Sequence, residues 1–114
     1  MLEREAVLKV YIIGPVTGRE DRNLGAFCDA AYRLAEAGYE PVLPHSVVPE
    51  DAGWPRALLA SVHRMLECDG VAMLTGWEHS QGACVERGVC LDIGLPPIKT
   101  VEEWIECSRS HVLP

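Results

Sequence analysis

The sequence lacks any apolar stretch near the ~20 residues that a membrane-spanning helix needs, since runs such as residues 71–74 are far shorter. Residues 1–5 lack the apolar region of a signal peptide. Basic residues are also few: 10 Lys and Arg stand against 17 Asp and Glu, for a formal net charge of -7. This balance argues against a surface that holds nucleic acid or an anionic membrane. We therefore predict a cytoplasmic protein without nucleic-acid or membrane partners, and a small-molecule ligand stays open.

Clustered metal ligands are lacking too. The sequence has no C-x-x-C pair and no H-x-x-x-H pattern, and its five cysteines and four histidines form no mixed cluster. Because proteins hold metal ions with several such ligands at short spacing, we predict no metal site. The cysteines are odd in number and several lie in apolar helical patterns, which favours reduced thiols used as small core residues.

The chain does contain enough apolar material for one folded unit. It has 114 residues, 48% of them hydrophobic, and no internal repeat or linker-like block of Ser, Gly and Pro. A chain of this length can bury roughly two-thirds of its surface around one core. We therefore predict a single domain over residues 1–114.

Hydrophobic spacing alternates between strand-like and helix-like patterns along the chain. Apolar runs typical of buried strands lie at residues 7–13, 39–43, 70–74 and 98–100. Apolar residues recur at helical spacing at 24–35, 58–66, 80–94 and around Trp104. Strands that alternate with helices give a parallel sheet covered on both faces. The sequence thus predicts an α/β fold, a doubly wound parallel sheet of four to five strands flanked by helices.

Ligands of doubly wound sheets bind beyond the carboxyl ends of the strands, which here lead into loops at 14–23, 44–54 and 75–82. Glycines in the first loop, Gly14 and Gly18, allow close approach of the backbone to a ligand, and free N–H groups near a helix start suit phosphate. The loop is neither a G-x-G-x-x-G nor a Walker sequence, so an ordinary strand-to-helix turn remains the alternative. In the second loop, His45 borders the same crevice as a candidate contact.

The third loop leads into a helix whose start suits an anion. Ser80 is a good N-cap, and Gly82 lies in the first turn, where unpaired N–H groups and the positive end of the helix dipole favour negative charge. Glu86 follows on the stripe that should face the sheet. Helical side chains lean toward the N-terminus, so we expect its carboxylate to point back at the crevice. The other members of this stripe are Ala83, Val89, Cys90 and Ile93.

A half-buried carboxylate in that place could attack the anomeric carbon of a sugar. Charged residues rarely occupy a buried stripe unless they are paired or functional. The alternative is that Glu86 pairs with Arg64 or Arg87, or reaches solvent. Spacing alone leaves both interpretations open.

Three segments carry a resemblance to known proteins: YIIGPVTG at 11–18 with Asn23 and Phe27 after it, CDGVAML at 68–74, and GWEHSQGACVE at 76–86. Together they resemble a small, largely uncharacterised family that is frequent in phages. That family belongs to the nucleoside 2-deoxyribosyltransferase superfamily, which also contains the deoxynucleoside 5'-monophosphate N-hydrolases. The resemblance runs from about Lys9 to Leu95.

The resemblance implies a flavodoxin-like sheet and an enzyme that cleaves an N-glycosidic bond by a retaining, two-step route without metal or organic cofactor. Glu86 matches the nucleophile, which forms a glycosyl ester that water or a second base resolves. Tyr11 matches a tyrosine that orients the nucleophile. Relatives assemble as homodimers or larger homo-oligomers. The residues implied or suspected to hold a small-molecule nucleotide are Gly14, Pro15, Val16, Thr17, Gly18, Arg19, Asn23, His45, Ser80 and Gly82.

Ser80 indicates the substrate class. Similar transferases that act on free nucleosides tend to carry aspartate here, which would repel a phosphate, whereas serine can donate to one. We therefore expect a nucleoside 5'-monophosphate. The identity of the base, ribose versus deoxyribose, and hydrolysis versus transfer all stay open.

One residue departs from the pattern of the resembling proteins, which place an aspartate where this chain has Ser61. That carboxylate manages a proton, and such help is typically worth ~10²–10⁴-fold. His63 lies nearby but on a different helix face. A nucleotide-binding module with weak or no turnover therefore stays open. A further alternative is a glycohydrolase acting on a dinucleotide such as NAD, because similar sugar-cleaving glutamates on related α/β folds act on such molecules.

The last helix offers an apolar spacing of Val101, Trp104 and Ile105. This spacing fits an interface with another copy, or packing on the parent sheet.

Overall fold

Strands and helices alternate through the computed structural model, which describes residues 7–16, 18–48 and 51–112. The strands are β1 (Lys9–Ile13), β2 (Glu40–Val42), β3 (Gly70–Met73) and β4 (Ile98–Thr100). The helices are α1 (Leu24–Glu36), α2 (Trp54–Leu66), α3 (Gln81–Ile93) and α4 (Val101–Val112). Short 3₁₀ segments follow β1, β2 and β3, at Glu20–Asn23, Pro44–Ser46 and Trp77–His79.

All four strands run parallel, in the order β2-β1-β3-β4. The chain moves from β1 outward to β2, then crosses β1 to reach β3, and continues outward to β4. This reversal makes the sheet doubly wound and flavodoxin-like, and it opens a crevice between the carboxyl ends of β1 and β3. The predicted α/β fold is confirmed, with four of the four to five strands expected.

The sheet separates two layers of helices because successive side chains of a strand face opposite sides. On β1, Val10 and Ile12 belong to a core shared with α1 and α4, whereas Tyr11 and Ile13 belong to a core shared with α2 and α3. All four residues are at most 1% exposed. The Tyr11 hydroxyl is therefore held among the two helices that flank the crevice.

Helix α4 packs on its own sheet. Val101 and Trp104 are buried, and Ile105 packs against the same core. Trp104 Nε1 donates a hydrogen bond of 2.7 Å to the carbonyl of Val71, which ties α4 to β3. Of the two uses expected for this apolar spacing, packing on the parent sheet accounts for these side chains.

One helix boundary and the burial of one residue differ from the expected pattern. Helix α2 begins at Trp54, one turn before Leu58, because Pro55 fits the first turn of a helix, where its missing N–H is not needed. Ile93 was expected in the buried stripe of α3 but is 61% exposed. The reason is that α3 ends at Ile93, and Gly94 follows with a φ of 88° that turns the chain away.

The cysteines are free thiols, of which Cys68 and Cys90 are buried, while Cys28 and Cys84 are exposed and Cys107 is intermediate. The expectation that the cysteines serve as small core residues therefore holds for Cys68 and Cys90 only. Within the described residues, no three His, Cys, Asp or Glu side chains group as metal ligands would. No helix in this part of the chain has the length and apolar character needed to cross a membrane.

Candidate active site

A pocket of about 340 Å³ lies at the crevice between the carboxyl ends of β1 and β3. Its volume falls in the range of small-molecule sites, roughly 300–1,000 Å³. All three loops that the sequence singled out contribute to it, together with one side of α2 and the start of α3. Its lining consists of Ile13, Gly14, Pro15, Val16, Arg19, Arg22, Pro44, His45, Val48, Trp54, Ala57, Leu58, Ser61, His79, Ser80, Gln81, Gly82, Ala83 and Glu86.

Glu86 is a buried carboxylate in the pocket wall, 6% exposed. Neither basic residue expected as an alternative partner pairs with it. Arg87 lies over the Trp77 ring, 4.7 Å from its centroid, and Arg64 lies 3.4 Å from a carboxylate oxygen of Glu67. The burial expected for Glu86 from its place on the helix stripe is confirmed.

Burial sets the acidity of Glu86. Loss of hydration raises the pKa of its carboxyl from 4.5 to about 7, and a hydrogen bond from Ser61 opposes that rise. Ser61 Oγ donates to Oε2 of the carboxylate. The other oxygen, Oε1, has no hydrogen-bond partner among the described residues, so it is left for a ligand. Near neutral pH this side chain is therefore divided between its acid and its ionised form.

Tyr11 reaches Glu86 through Ser61 rather than directly. The Tyr11 hydroxyl lies 2.6 Å from Ser61 Oγ, and it does not line the pocket. Burial raises the pKa of the Tyr11 phenol above its ordinary range, so this hydroxyl keeps its proton. Ser61 is itself 6% exposed and lies on α2. His63, the substitute considered from sequence, is exposed on another face of that helix.

The start of α3 forms another part of the pocket wall. Ser80 is the N-cap as predicted, and its Oγ accepts a hydrogen bond of 3.1 Å from the backbone N–H of Ala83. Since that bond uses only a lone pair, the Ser80 hydroxyl proton is available to a ligand. The first-turn N–H groups of Gln81 and Gly82 have no partner within a helix. This end of the pocket therefore offers several donors to an anion.

Only part of the loop after β1 lines the pocket. Gly14, Pro15 and Val16 line the pocket, whereas Thr17 lies outside the described residues. Gly18 is exposed and outside the lining. At Gly14 a Cβ would lie 2.8 Å from Cβ of Leu74, the residue after β3, so close packing at the ends of β1 and β3 requires glycine here.

Asn23 supports this loop instead of lining the pocket. Its Nδ2 donates a hydrogen bond of 2.9 Å to the carbonyl of Pro15. Asn23 is the last of three consecutive residues in the left-handed region, after Asp21 and Arg22, with φ values of 54°, 54° and 59°. Each such residue costs roughly 1–2 kcal/mol. The bond from Asn23 is one of the contacts that hold this turn.

Arg22 is a lining residue that the sequence did not single out. Its Nη1 donates to the carbonyl of Val48 at 3.4 Å, and its own carbonyl accepts a hydrogen bond of 2.8 Å from His45 Nε2. Arg19 lines the same region and is exposed. Two guanidinium groups therefore border the pocket, although the protein as a whole is acidic.

His45 lines the pocket and is fixed on two sides. Its ring meets Phe27 edge-on, with centroids 4.8 Å apart, and Nε2 donates to the Arg22 carbonyl. Nδ1 is buried and has no partner among the described residues. His79 also lines the pocket, whereas Trp77, two residues earlier, packs against the core beneath Arg87.

These features define the class of this protein: a doubly wound α/β domain with a buried carboxylate in a ligand-sized pocket at its topological switch point. Residues 8–99 match the family described as Domain of unknown function (DUF4406), and the chain belongs to that family. The matched region runs from β1 to β4 and includes the whole pocket lining. Among curated proteins, none matches this chain.

Proposed function

We propose that this protein cleaves the N-glycosidic bond of (2'-deoxy)nucleoside 5'-monophosphates, with Glu86 as nucleophile and without metal or organic cofactor. The observation that carries the proposal is the buried Glu86 carboxylate in the wall of a pocket that the start of α3 also lines. The resemblance to the nucleoside 2-deoxyribosyltransferase superfamily supports the same reaction.

The reaction needs two displacements at the anomeric carbon. The ionised carboxylate of Glu86 attacks C1', and the C1'–N bond breaks with its electron pair moving to the nitrogen of the base. Water then attacks C1' of the glycosyl ester, which releases the sugar 5-phosphate, returns Glu86 as a carboxylate and leaves one proton of the water for the base. A second base in place of water would give transfer. Two inversions retain the configuration at C1'.

The polar groups at the start of α3 favour a phosphate on this sugar. The Ser80 hydroxyl and the first-turn N–H groups can donate to phosphate oxygens, and the helix dipole adds to the attraction. Arg19 and Arg22 bring positive charge to the same pocket. A 5'-monophosphate is therefore a better fit than a neutral nucleoside.

A nucleotide-binding module with weak turnover is the second candidate. The observation that favours it is that, in the described pocket lining, Glu86 is the sole carboxylate. Protonation of the leaving base by a second carboxylic acid is therefore not provided there. Such a protein would bind the nucleotide and release the base slowly or not at all.

A panel of nucleotides tests the proposal. The purified protein is incubated with ribo- and deoxynucleoside 5'-monophosphates, the matching nucleosides and NAD, and free base is measured by mass spectrometry. We expect base release from one or more monophosphates, at higher kcat/KM than from the nucleosides. Saturable binding by calorimetry without any released base would replace this proposal with the binding module.

Ser80→Asp tests the phosphate end of the pocket. Aspartate is also a good N-cap, so the helix keeps its start while a negative charge enters the proposed phosphate site. We expect the ratio of kcat/KM for a monophosphate to kcat/KM for its nucleoside to fall by about tenfold or more, equivalent to ~1.4 kcal/mol. Ser80→Asn, a neutral N-cap, is the matched control. An unchanged ratio in Ser80→Asp would show that phosphate does not bind there.

A further inference from the structure

We propose that Ser61 is a positioning residue of this site, whose hydroxyl holds the Glu86 carboxylate in its ionised form and in a fixed orientation, with Tyr11 fixing the hydroxyl in turn. The role of Ser61 in turnover rests on the proposed function. Its effect on the protonation of Glu86 does not, since that depends only on the contacts of the buried side chains.

The directions of the hydrogen bonds follow from what each group can donate. A serine hydroxyl has one proton, and Ser61 gives it to Oε2 of Glu86. The bond between Tyr11 and Ser61 must therefore be donated by Tyr11, across 2.6 Å. The result is a chain of two donated bonds that ends on a negative charge. Bonds to charged acceptors are about twice as strong as neutral ones, and donors in a chain polarise each other.

Three different elements bring this chain together. Tyr11 lies on β1, Ser61 on α2 and Glu86 on α3, and all three side chains are buried. These two hydrogen bonds tie α3 to α2 and α2 to β1, so they restrict the carboxylate more than a bond within α3 would. Because Oε2 is held by Ser61, Oε1 is the oxygen left for the anomeric carbon.

The surroundings of Glu86 show why one hydroxyl matters so much. Tyr11, Arg64, Cys68 and Cys90 are the titratable or charged side chains close to this cluster on the core side, and Arg19, Arg22, His45 and His79 line the pocket beside Glu86. None of these forms an ion pair with Glu86 among the described residues. The hydrogen bond from Ser61 is the contact that favours its ionised form, against the burial that raises its pKa.

Ser61→Ala removes this bond and also the acceptor of the Tyr11 hydroxyl, so the whole chain of two bonds is lost. A hydrogen bond to a carboxylate stabilises its ionised form, so without it we expect the pKa of Glu86 to rise by about one to two pH units. The acid side of the pH profile of kcat/KM should move upward by the same amount, because the nucleophile must be ionised. At a pH below both values, kcat/KM should fall about 10- to 100-fold.

Two further variants separate positioning from a general loss of packing. Ser61→Thr keeps the hydroxyl, and we expect it to restore the wild-type titration of Glu86. Tyr11→Phe removes only the second bond of the chain, so a smaller upward shift is expected. Ser108→Ala is the matched control, because Ser108 Oγ also donates a 2.7 Å bond, to the carbonyl of Ala37, in the other helix layer.

The titration is read directly by NMR from the carboxyl carbons of ¹³C-labelled glutamate, with Glu86 assigned by the loss of its signal in Glu86→Gln. This measurement needs no substrate. An unchanged titration in Ser61→Ala, or a loss of kcat/KM that is equal at every pH, would overturn the role of Ser61. Absence of base release by the wild-type protein would overturn the proposed function instead, so the two failures are distinguishable.

Discussion

Glu86→Gln is expected to lower the rate of base release by about 10⁴-fold or more, the scale seen when a nucleophile is removed from an enzyme. The amide has nearly the same shape as the carboxylic acid, and its oxygen can still accept the hydrogen bond from Ser61. It cannot form the glycosyl ester, because an amide is a far weaker nucleophile than a carboxylate. Turnover is measured as free base released from the best monophosphate of the panel.

The matched control for this variant is Glu40→Gln. Glu40 is exposed and is the first residue of β2. It therefore lies at the amino edge of the parallel sheet, opposite the pocket at the carboxyl edge. We expect wild-type turnover from it. Nucleotide affinity in Glu86→Gln should stay close to wild type, since the substitution leaves the proposed phosphate site at the start of α3 unchanged. Retained base release in Glu86→Gln would show that Glu86 is not the nucleophile, and the proposed reaction would be rejected with it.

The fold could be predicted from the sequence because hydrophobic periodicity is a local signal. The alternation of apolar runs and helical stripes was enough to give the parallel sheet, and with it the edge at which a ligand site would lie. The same reasoning placed Glu86 inward, since a charged side chain sat among apolar ones at helical spacing. Ser80 was recognisable as the N-cap because capping residues act on the turn that follows them.

The contacts that complete the site could not be predicted, because they join residues far apart in the chain. Ser61 meets Tyr11 across 50 positions and Glu86 across 25, and no local pattern marks a single serine as the partner of a buried acid. From the sequence, Ser61 could be recognised only as the position where the resembling proteins have an aspartate. The bond from His45 to the Arg22 carbonyl spans 23 positions and was equally hidden.

Backbone conformation was the other missing information. Arginine rarely adopts the left-handed conformation found at Arg22, so the position of Arg22 in the pocket wall had no local signal. Asn23 was expected among the nucleotide contacts on the basis of the resemblance. In the structure its side chain braces the loop at Pro15, which supports the pocket from behind.

A buried carboxylate lowers stability, and this gives the second large prediction. In the unfolded chain Glu86 has its ordinary pKa of 4.5, and in the folded protein burial raises the pKa to about 7. Between these values the folded state keeps a proton that the unfolded state has lost. The free energy of unfolding therefore falls as the pH rises from about 4.5 to 7, and the loss persists at higher pH.

The difference between the two pKa values corresponds to a loss on the order of 3 kcal/mol once the pH is well above 7. Glutamine has no proton to lose, so Glu86→Gln should escape this fall, and its stability relative to wild type should rise by that amount across the same range. Urea unfolding of both proteins at several pH values measures it, with Glu40→Gln expected to follow wild type. Parallel curves for Glu86→Gln and wild type would mean that the carboxylate is well solvated, which is incompatible with a desolvated nucleophile. A rising difference, together with lost turnover, would mean that the same desolvation which weakens the fold also prepares Glu86 to react.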